Sequence, residues 1–382
     1  MNTDTRIISD FSTIDERDWD QLAHENNPFL SWSFLHALEA SGSVAAKTGW
    51  QPHHLALFQD GQLTAFAPTY IKTHSHGEFV FDWAWADAYH RHGLDYYPKL
   101  LTAIPYSPVT GPRLLIRKGH PDNVALRKIL LRLAADECDR QNFSSWHCNF
   151  TSKAEEKALK RAALMKRRDL QFHWFNQGYE SFDAFLQQLR SRKRKNIRRE
   201  RRQVHDAGVR FEWKSGRELT RQEMDFVYLC YSNTFHAHGN HAALQPGFFR
   251  LIADGLADQM HVSLAIRNET PLAMSLFLSG GNRLYGRYWG CVEEVPGLHF
   301  EAAYYQGIEY CIEHGISVFE SGAQGEHKIS RGFVPSRTHS YHLVRHEGFR
   351  SAIAEYLKRE SHWLKSYHDE LLQHDPYRRD NA

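Results

Sequence analysis

The chain contains 382 residues, of which 42% are apolar, 24% charged and 13% aromatic. This length predicts two or three globular domains, and this composition excludes collagen-like, low-complexity and intrinsically disordered chains. The formal net charge of +2 is unevenly distributed: residues 190–202 contain nine Lys or Arg and one Glu, which leaves 38 basic against 44 acidic residues, or −6, elsewhere.

Helices and strands alternate in the first half of the chain. Residues 27–42 have apolar side chains at helical spacing before a Gly, which predicts a helix. Residues 53–72 predict two strands around an Asp-Gly turn, and the aromatic-rich residues 77–85 predict a third strand. The same patterns predict a helix at about 121–141, a strand at 143–150, a charged helix at 152–169 and a strand at 170–176.

The second half has the same alternation. A helix is predicted from about residue 182 through the basic run. The elements expected after it are helices at 221–239 and 245–259, three strands within 261–290, a helix at 299–314, a strand at 316–322, a short helix around 325–333, a strand at 337–344 and a C-terminal helix.

The three-strand segments of the two halves match in spacing. Leu55-Ala56 is followed eight residues later by Leu63, and Leu264-Ala265 is followed eight residues later by Leu272. Trp83 and Trp289 then end the two predicted third strands. The pattern predicts an α/β (α+β) protein of two tandem domains, residues 1–170 and 171–382, each a mixed, mostly antiparallel sheet flanked by helices. Two unrelated antiparallel meanders would also look alike.

The basic run is predicted to form one helix, residues 190–207, within the second domain. Its residues Lys195, Arg198, Arg199 and Arg202 recur at steps of three and four, so they share one face, and Lys193 lies close by. Guanidinium and ammonium groups bind phosphate oxygens, so we expect a phosphate-bearing small molecule or a tRNA as partner. A solvated helix face is the alternative.

A second group of candidates lies at the predicted strand end and short helix around residue 325. Transfer of an acyl group to an amine requires a base and groups that stabilise the developing negative charge. We predict Glu320 as the base, with Lys328 or Arg331 stabilising the charge and His327 binding substrate. An ordinary carboxylate near a helix start is the alternative.

Two further sets have the composition of binding sites. Glu301 and Tyr305 share a helix face with Glu309, and they are candidates for binding a substrate amine. Asp82, Trp83 and Tyr97 combine aromatic and charged groups that suit a peptide or sugar. A first-turn Glu and an aromatic core explain the same patterns without a ligand.

Several common types of site have no motif in this sequence. The five Cys are far apart and the 25 His do not form an H-E-x-x-H set, so neither disulfides nor a metal is expected. There is no G-x-S-x-G elbow and no P-loop. The first 20 residues lack the pattern of a secretory leader, and no apolar run reaches the ~18 residues of a membrane span. We therefore expect a cytoplasmic protein without a membrane span.

Two segments carry a resemblance to a known family. Residues 191–213 (SRKRKNIRRERRQVHDAGVRFEW) resemble the basic helix, with its N-I-R core, of FemABX-type aminoacyl transferases, and residues 318–335 (VFESGAQGEHKISRGFVP) resemble their strand-to-helix element with a Lys before Gly-Phe. Residues 27–42, 103–115 and 298–315 look like bacterial FemAB-like proteins. The resemblance implies two tandem domains of the GCN5-related N-acetyltransferase fold.

The resemblance also implies a function, transfer of an acyl or aminoacyl group from a CoA thioester or an aminoacyl-tRNA to an amine acceptor such as a peptidoglycan precursor. No cofactor beyond that donor is implied. The sequence departs from the family in lacking a long pair of heptad-patterned helices and a clear acetyl-CoA loop. A non-catalytic protein that binds RNA or nucleotides and keeps the fold is the alternative.

Overall fold

The computed structural model describes residues 3–237, 239–323 and 325–378. The chain divides into two compact units, one of Met1–Asp169 and Arg337–Ser366 and the other of Leu170–Ser336 and Tyr367–Ala382. The units differ from the predicted domains 1–170 and 171–382 mainly because Arg337–Ser366 belong with the N-terminal part of the chain. The predicted domain limits remain a proposal.

The described residues form fifteen strands and twelve α-helices. The strands are β1 (Thr3–Ile8), β2 (Trp50–Pro52), β3 (His54–Gln59), β4 (Gln62–Ala67), β5 (Thr69–Lys72), β6 (Lys99–Thr102), β7 (Leu115–Ile116), β8 (Ser145–Asn149), β9 (Met165–Phe175), β10 (Arg210–Ser215), β11 (Met260–Arg267), β12 (Thr270–Gly280), β13 (Arg283–Cys291), β14 (Val318–Glu320) and β15 (Val334–Val344). The helices are α1 (Glu16–Asp20), α2 (Trp32–Ala40), α3 (Trp83–Arg91), α4 (Asn123–Arg140), α5 (Glu156–Arg161), α6 (Phe182–Gln188), α7 (Ser191–Asp206), α8 (Arg221–Ala237), α9 (Pro246–Gly255), α10 (Leu298–Phe300), α11 (Gln306–Glu313) and α12 (Glu347–Gln373).

A π-helical turn, Glu301–Tyr305, joins α10 to α11. Short 3-10 helices occupy Phe11–Thr13, Pro28–Leu30, Ala46–Thr48, Lys153–Glu155, Gly216–Glu218 and Glu326–Arg331.

In the first unit, β1, β3, β4 and β7 form an antiparallel sheet in the order β1-β3-β4-β7. Strands β15, β8, β6, β5 and β2 are neighbours in that order. The pair β6–β8 is parallel, and the pairs β15–β8, β6–β5 and β5–β2 are antiparallel. Helix α4 connects these two parallel strands. It buries Leu126, Leu130, Ala134 and Cys138, spaced four residues apart, against Leu55 and Leu57 of β3 and other core residues.

The strands of the second unit pair in an order that corresponds to that of β2, β5, β6, β8 and β15 in the first unit. They lie in the order β10-β11-β12-β13-β14, and β14 also pairs with the C-terminal part of β9. The pair β13–β14 is parallel and is connected through α10 and α11, whereas the other pairs are antiparallel. The predicted fold class, α/β (α+β) with mixed, mostly antiparallel strands flanked by helices, is confirmed.

The third strand predicted at residues 77–85 is wrong, because this segment leads into helix α3. The aromatic-rich composition of residues 77–85 favoured a strand, but Trp85 and Tyr89 are buried, each 3% exposed, whereas Trp83 is 62% exposed. In a strand, residues 83, 85 and 89 would all lie on one face, whereas in a helix Trp85 and Tyr89 share a face and Trp83 lies on another. Strand β6 takes the place of the predicted third strand. It follows β4 and β5 along the chain, as β13 follows β12 in the second unit.

Three other element boundaries differ from the prediction. Pro68 separates β4 from β5, which belong to different sheets, because proline cannot donate a ladder hydrogen bond. Helix α5 is short, and residues from Met165 onward are strand. The basic helix is separate from α6 because Leu189 is extended, fully buried, and paired in a β-bridge with Tyr377.

A buried ionic cluster holds the segment before β6 in place. The Lys99 ammonium donates to Glu78 Oε2 at 2.8 Å and to Asp82 Oδ2 at 2.5 Å, and the Tyr96 hydroxyl donates to Asp82 at 2.5 Å. All four side chains are buried. Burial raises the pKa of Glu78 to about 7, although the nearby Lys99 charge lowers it. Glu78 and Asp82 both pair with the Lys99 ammonium. Without it, their buried negative charges would have no compensating cation.

Replacing Lys99 by Met is therefore expected to destabilise the protein by about 3–5 kcal/mol, because two buried carboxylates lose their cation. Urea unfolding followed by circular dichroism measures this change. The control is Lys47→Met at an exposed position of the same unit, expected to change the free energy of unfolding by less than about 0.5 kcal/mol. A Lys99→Met protein as stable as the control would show that the cluster is not what stabilises this segment.

Candidate functional site

The candidate site in the second unit is built around the turn that follows β14. Glycines at both ends of this turn have positive φ, 93° at Gly322 and 118° at Gly325, and Gly332, at 96°, ends the 3-10 helix. Residues with a Cβ rarely adopt these angles, so the glycines allow the chain to leave the strand and form one short helix. The helix carries His327, Lys328 and Arg331.

Lys328 is a buried lysine in this helix, only 2% exposed. Its ammonium donates to the Gly322 carbonyl oxygen at 2.9 Å and lies 6.0 Å from the centre of the Tyr304 ring. Burial lowers the pKa of Lys328 to about 7, because the charged form loses hydration. The side chain can therefore gain or lose a proton near neutral pH.

Glu320 ends β14 and is also buried. Its Oε1 accepts a hydrogen bond from Arg283 at 2.6 Å. Its Oε2 is buried without a hydrogen-bond partner among the described residues, and the nearest nitrogen of His173 is 3.8 Å away. The predicted role of Glu320 as a base remains a prediction, with one carboxylate oxygen already in an ion pair.

Arg331 is held by a carboxylate of the basic helix. Its Nη2 donates to Glu200 Oε1 at 2.9 Å, its Nη1 donates to the His327 carbonyl at 2.9 Å, and its guanidinium carbon lies 3.4 Å from the centre of the Phe300 ring. The hydroxyl of Tyr305 donates to the other oxygen of Glu200. The guanidinium of Arg331 is therefore already paired with a carboxylate and a carbonyl group. Its predicted catalytic role also remains a prediction.

The π-helical turn joins the remaining candidates of this unit to the same network. Glu301 accepts from Arg201 at 3.1 Å, and Arg201 also pairs with Glu309 at 2.6 Å. The Tyr304 hydroxyl and His327 Nε2 are hydrogen bonded at 2.9 Å. Glu301, Tyr305, His327, Lys328 and Arg331 thus lie in one region, as a set of candidate site residues would. π-Helical turns occur frequently at functional sites.

A pocket of about 180 Å³ opens beside this network, between β12, β13 and the π-helical turn. His299, Tyr304, Ser275 and Ser321 line it together with residues of β13. The hydroxyls of Ser275 and Ser321 are buried without a hydrogen-bond partner among the described residues. Burial lowers the pKa of His299 to about 4, so its ring is neutral at pH 7. A small polar group would satisfy these hydroxyls.

Sequence reasoning did not select Ser275, Ser321, Glu200 or Arg201. The two serines have no local signal, since only the fold brings β12 and the end of β14 to one pocket. Glu200 did have a local signal, because it is the single acidic residue beside nine basic residues in 190–202. An acid kept within such a run indicates a specific partner.

Helix α7 divides its charges between two sides. Ile197 and Val204 are buried, and Glu200 and Arg201 make the ion pairs described above. Lys195, Arg198, Arg199 and Arg202 are exposed, whereas Lys193 is partly buried. Arg198 pairs with Asp183 at 2.9 Å, but in the part of the chain that the structure describes no carboxylate lies within ion-pair distance of Lys193, Lys195 or Arg199.

The candidates Asp82, Trp83 and Tyr97 belong to the first unit and are linked through shared partners. Lys99 pairs with Asp82 and lies 5.4 Å from the centre of the Tyr97 ring, and Ser75 is hydrogen bonded to both Trp83 and Tyr97. Asp82 is part of the buried cluster around Lys99. Trp83 is exposed, and its ring nitrogen donates to Ser75 Oγ at 3.0 Å. Burial raises the pKa of Tyr97 to about 12. Their predicted role in substrate binding remains a prediction.

Two further properties concern the described residues 3–237, 239–323 and 325–378. No three His, Cys, Asp or Glu side chains lie close enough there to hold a metal ion. Within the same residues, no helix has both the length and the apolar character to cross a bilayer.

A model of FemAB-like proteins, described as peptidoglycan biosynthesis/recognition, matches residues 10–379. The chain belongs to the FemAB-like family. No curated protein matches this FemAB-like chain.

The FemAB-like chain also resembles several solved structures. It superimposes on FemX with a TM-score of 0.52 at 12% identity, covering 92% of this chain and all of FemX. A putative lysylphosphatidylglycerol synthetase domain from Agrobacterium fabrum gives 0.50 at 12% identity, covering 88% and 91% of the two chains. A conserved protein of unknown function from Bacteroides thetaiotaomicron gives 0.51 at 9% identity, covering 89% and 99%. At such identities the likeness concerns the fold alone.

The lowered pKa of Lys328 predicts a pH-dependent stability. The unfolded chain keeps the ordinary lysine pKa of 10.5, so between pH 7 and 10.5 it binds more protons than the folded chain, and the free energy of unfolding rises with pH. Lys328→Met removes this group. The variant is expected to be more stable than the natural protein by ~1–4 kcal/mol at pH 7, with the difference shrinking toward pH 10.

Urea unfolding at pH 7, 8.5 and 10 measures the difference. Lys195→Met, at an exposed position of α7, is the control and should leave the pH dependence unchanged. A Lys328→Met protein that is less stable at pH 7, or whose stability difference does not change with pH, would contradict the lowered pKa.

Proposed function

We propose that this FemAB-like protein transfers an acyl or aminoacyl group to an amine acceptor, with the chemistry at the turn that carries Lys328. The observation that carries the proposal is the buried lysine itself, with a pKa of about 7, which lies 6.0 Å from the ring of Tyr304. Tyr304 lines the pocket that also contains the hydroxyls of Ser275 and Ser321, which have no hydrogen-bond partner among the described residues. Burying an ammonium is unfavourable, so a protein that keeps one beside a pocket is expected to use it.

The proposed step is direct attack of the acceptor amine on the donor carbonyl carbon. A C–N bond forms, and the C–O bond of an aminoacyl ester or the C–S bond of a thioester breaks. One proton leaves the amine and ends on the leaving oxygen or sulfur. Neutral Lys328 can accept that proton and return it, because its pKa lies close to the working pH. Glu320 is the other candidate for the base.

The donor is proposed to carry phosphates, as an aminoacyl-tRNA or a CoA thioester does. Lys193, Lys195 and Arg199 of α7 have no carboxylate partner in the described residues, and Arg201 and Glu200 link the same helix to the π-helical turn and to Arg331. A phosphate bound by α7 would therefore be held by the helix that supports the proposed site. The family description supports a peptidoglycan precursor as acceptor, and a cytoplasmic location is part of the proposal.

The first test is transfer from labelled donors. Purified protein is incubated with labelled aminoacyl-tRNA or acyl-CoA and a nucleotide-linked peptidoglycan precursor, and labelled product is counted. The rate is expected to rise with pH through about 7 as Lys328 loses its proton. Lys328→Met is expected to lower it by about 10²-fold or more, and Lys328→Arg to remove the rise with pH.

Lys47→Met serves as the control, at an exposed position of the first unit, and should transfer at the natural rate. Filter binding of aminoacyl-tRNA, with acetyl-CoA or uncharged tRNA as competitor, separates the two donors. Full activity of Lys328→Met would remove Lys328 from the mechanism. A natural protein that binds tRNA but transfers from no donor would favour the second candidate function.

That second function is non-catalytic binding of RNA or a nucleotide. It is favoured by the exposed cations of α7, since four of them lie on one side of the helix and only Arg198 has an acidic partner among the described residues. Such a surface binds phosphates whether or not chemistry follows. The two functions share the basic helix and differ only in the need for Lys328.

If tRNA binds through α7, removing positive charges from this helix is expected to make the binding less dependent on salt concentration. Replacing Lys195, Arg198 and Arg199 by Gln is expected to weaken tRNA binding by at least about tenfold in 100 mM salt and to lower the slope of log K against log salt by about 2–3. Filter binding across a salt series measures both. The matched control replaces Arg210, Arg217 and Arg250, which pair with acids on other elements of the same unit. Equal effects of both triple variants would indicate only non-specific attraction.

A further inference from the structure

A large cavity of the first unit, whose lining lies wholly in described residues, shares no residue with the proposed site. It has a volume of about 800 Å³ and lies between helices α4 and α5, with Trp146 of β8 and Leu343 of β15 also in its lining. This volume is within the range of ~300–1,000 Å³ typical of small-molecule sites. None of its lining residues belongs to the network around Lys328.

The lining has only two kinds of side chain. Nine residues are apolar, including Leu131, Trp146 and Leu164, and the other five are basic. The basic residues are Arg127, Lys128, Arg132, Lys157 and Arg161. No acid and no neutral polar side chain lines the cavity, so it offers no side-chain acceptor to a sugar hydroxyl or a nucleobase.

The cations at the cavity lack partners within the described part of the chain. No carboxylate lies within ion-pair distance of Arg127, Lys128, Lys157 or Arg161, and Arg132 has only Asp136 at 3.9 Å, with both side chains exposed. The Nε of Arg127 is buried, and no described residue forms a hydrogen bond with it. Unpaired guanidinium and ammonium groups around a concave apolar surface repel one another and favour an anion.

We propose that this cavity binds a single-chain anionic amphiphile, that is, an acyl chain with a carboxylate head group. The apolar residues between α4 and α5 would cover the chain, because burial of apolar area is the main favourable term. Arg127 and the neighbouring cations would bind the head group. A nucleotide is disfavoured because the lining offers no side-chain acceptor for its base or sugar.

The test uses a dansylated undecanoic acid, kept below its micelle concentration, and follows dansyl emission on titration with the full-length protein. Saturable binding at micromolar concentrations is expected, with displacement by dodecanoate and at least about tenfold weaker displacement by dodecanol, which lacks the charge. Equal displacement by acid and alcohol would overturn recognition of an anion, and absence of saturable binding would overturn the site.

Two variants test the two halves of the lining separately. Arg127→Gln with Arg132→Gln is expected to weaken the acid by about tenfold and to leave the alcohol unchanged. Ala135→Trp, which fills the cavity from a partly exposed position of α4, is expected to weaken both, while circular dichroism reports that it folds. Lys153→Gln, an exposed cation that does not line the cavity, is the matched control and should bind normally.

Other occupants give distinguishable results. Binding to phosphatidylglycerol vesicles, but not to the free acid, would overturn the proposal in favour of a membrane surface. A concentration-dependent dimer that Ala135→Trp disrupts would overturn it in favour of a second copy of the chain. Loss of acyl transfer in Lys328→Met has no bearing on this cavity, so the two proposals can fail independently.

Discussion

One carboxylate, Glu200, determines how the second unit presents its most basic helix. It accepts from Arg331 at one oxygen and from Tyr305 at the other. Without it, α7 would bring only cations toward a turn that already carries Lys328 and Arg331, and their repulsion would oppose the packing of Ile197 and Val204. The acid instead lets one side of α7 pack while the opposite cations remain available to phosphate. The position of the lysine turn, and so the proposed chemistry, depends on this pairing.

The same pairing of strands occurs in both units, which explains why one fold can support different surfaces. In each unit an antiparallel run ends in a parallel pair, β6–β8 or β13–β14, and a helical connection joins the pair. In the second unit that connection contains the π-helical turn and lines the polar pocket. In the first unit it is α4, which lines the cavity with basic residues. The strands are the constant part, and the connecting helices determine the chemistry of each surface.

Local patterns in the sequence were sufficient for most elements, the fold class and the family. The basic run and the Lys before Gly-Phe were visible because each is continuous in sequence. The helix that replaces the predicted third strand of the first half was not visible, because the aromatic-rich composition of that segment is typical of a strand. Lys99, the buried partner of Glu78 and Asp82 that holds the segment in place, is 21 and 17 residues away from them. Contacts such as Arg331–Glu200, 131 residues apart, cannot be obtained from periodicity. Neither can the loss of hydration that lowers the pKa of Lys328.

The π-helical turn sets a strict requirement on chain length between α10 and α11. It accommodates one residue more than an α-helical turn would, so deletion of a single residue within Glu301–Tyr305 would convert the turn to ordinary α-helix and leave α10 and α11 in nearly the same alignment. The side chains of the turn itself would be redistributed, so Glu301, Tyr304 and Tyr305 would no longer all reach Arg201, His327 and Glu200. Related chains that keep these three contacts should therefore also keep the length of the turn.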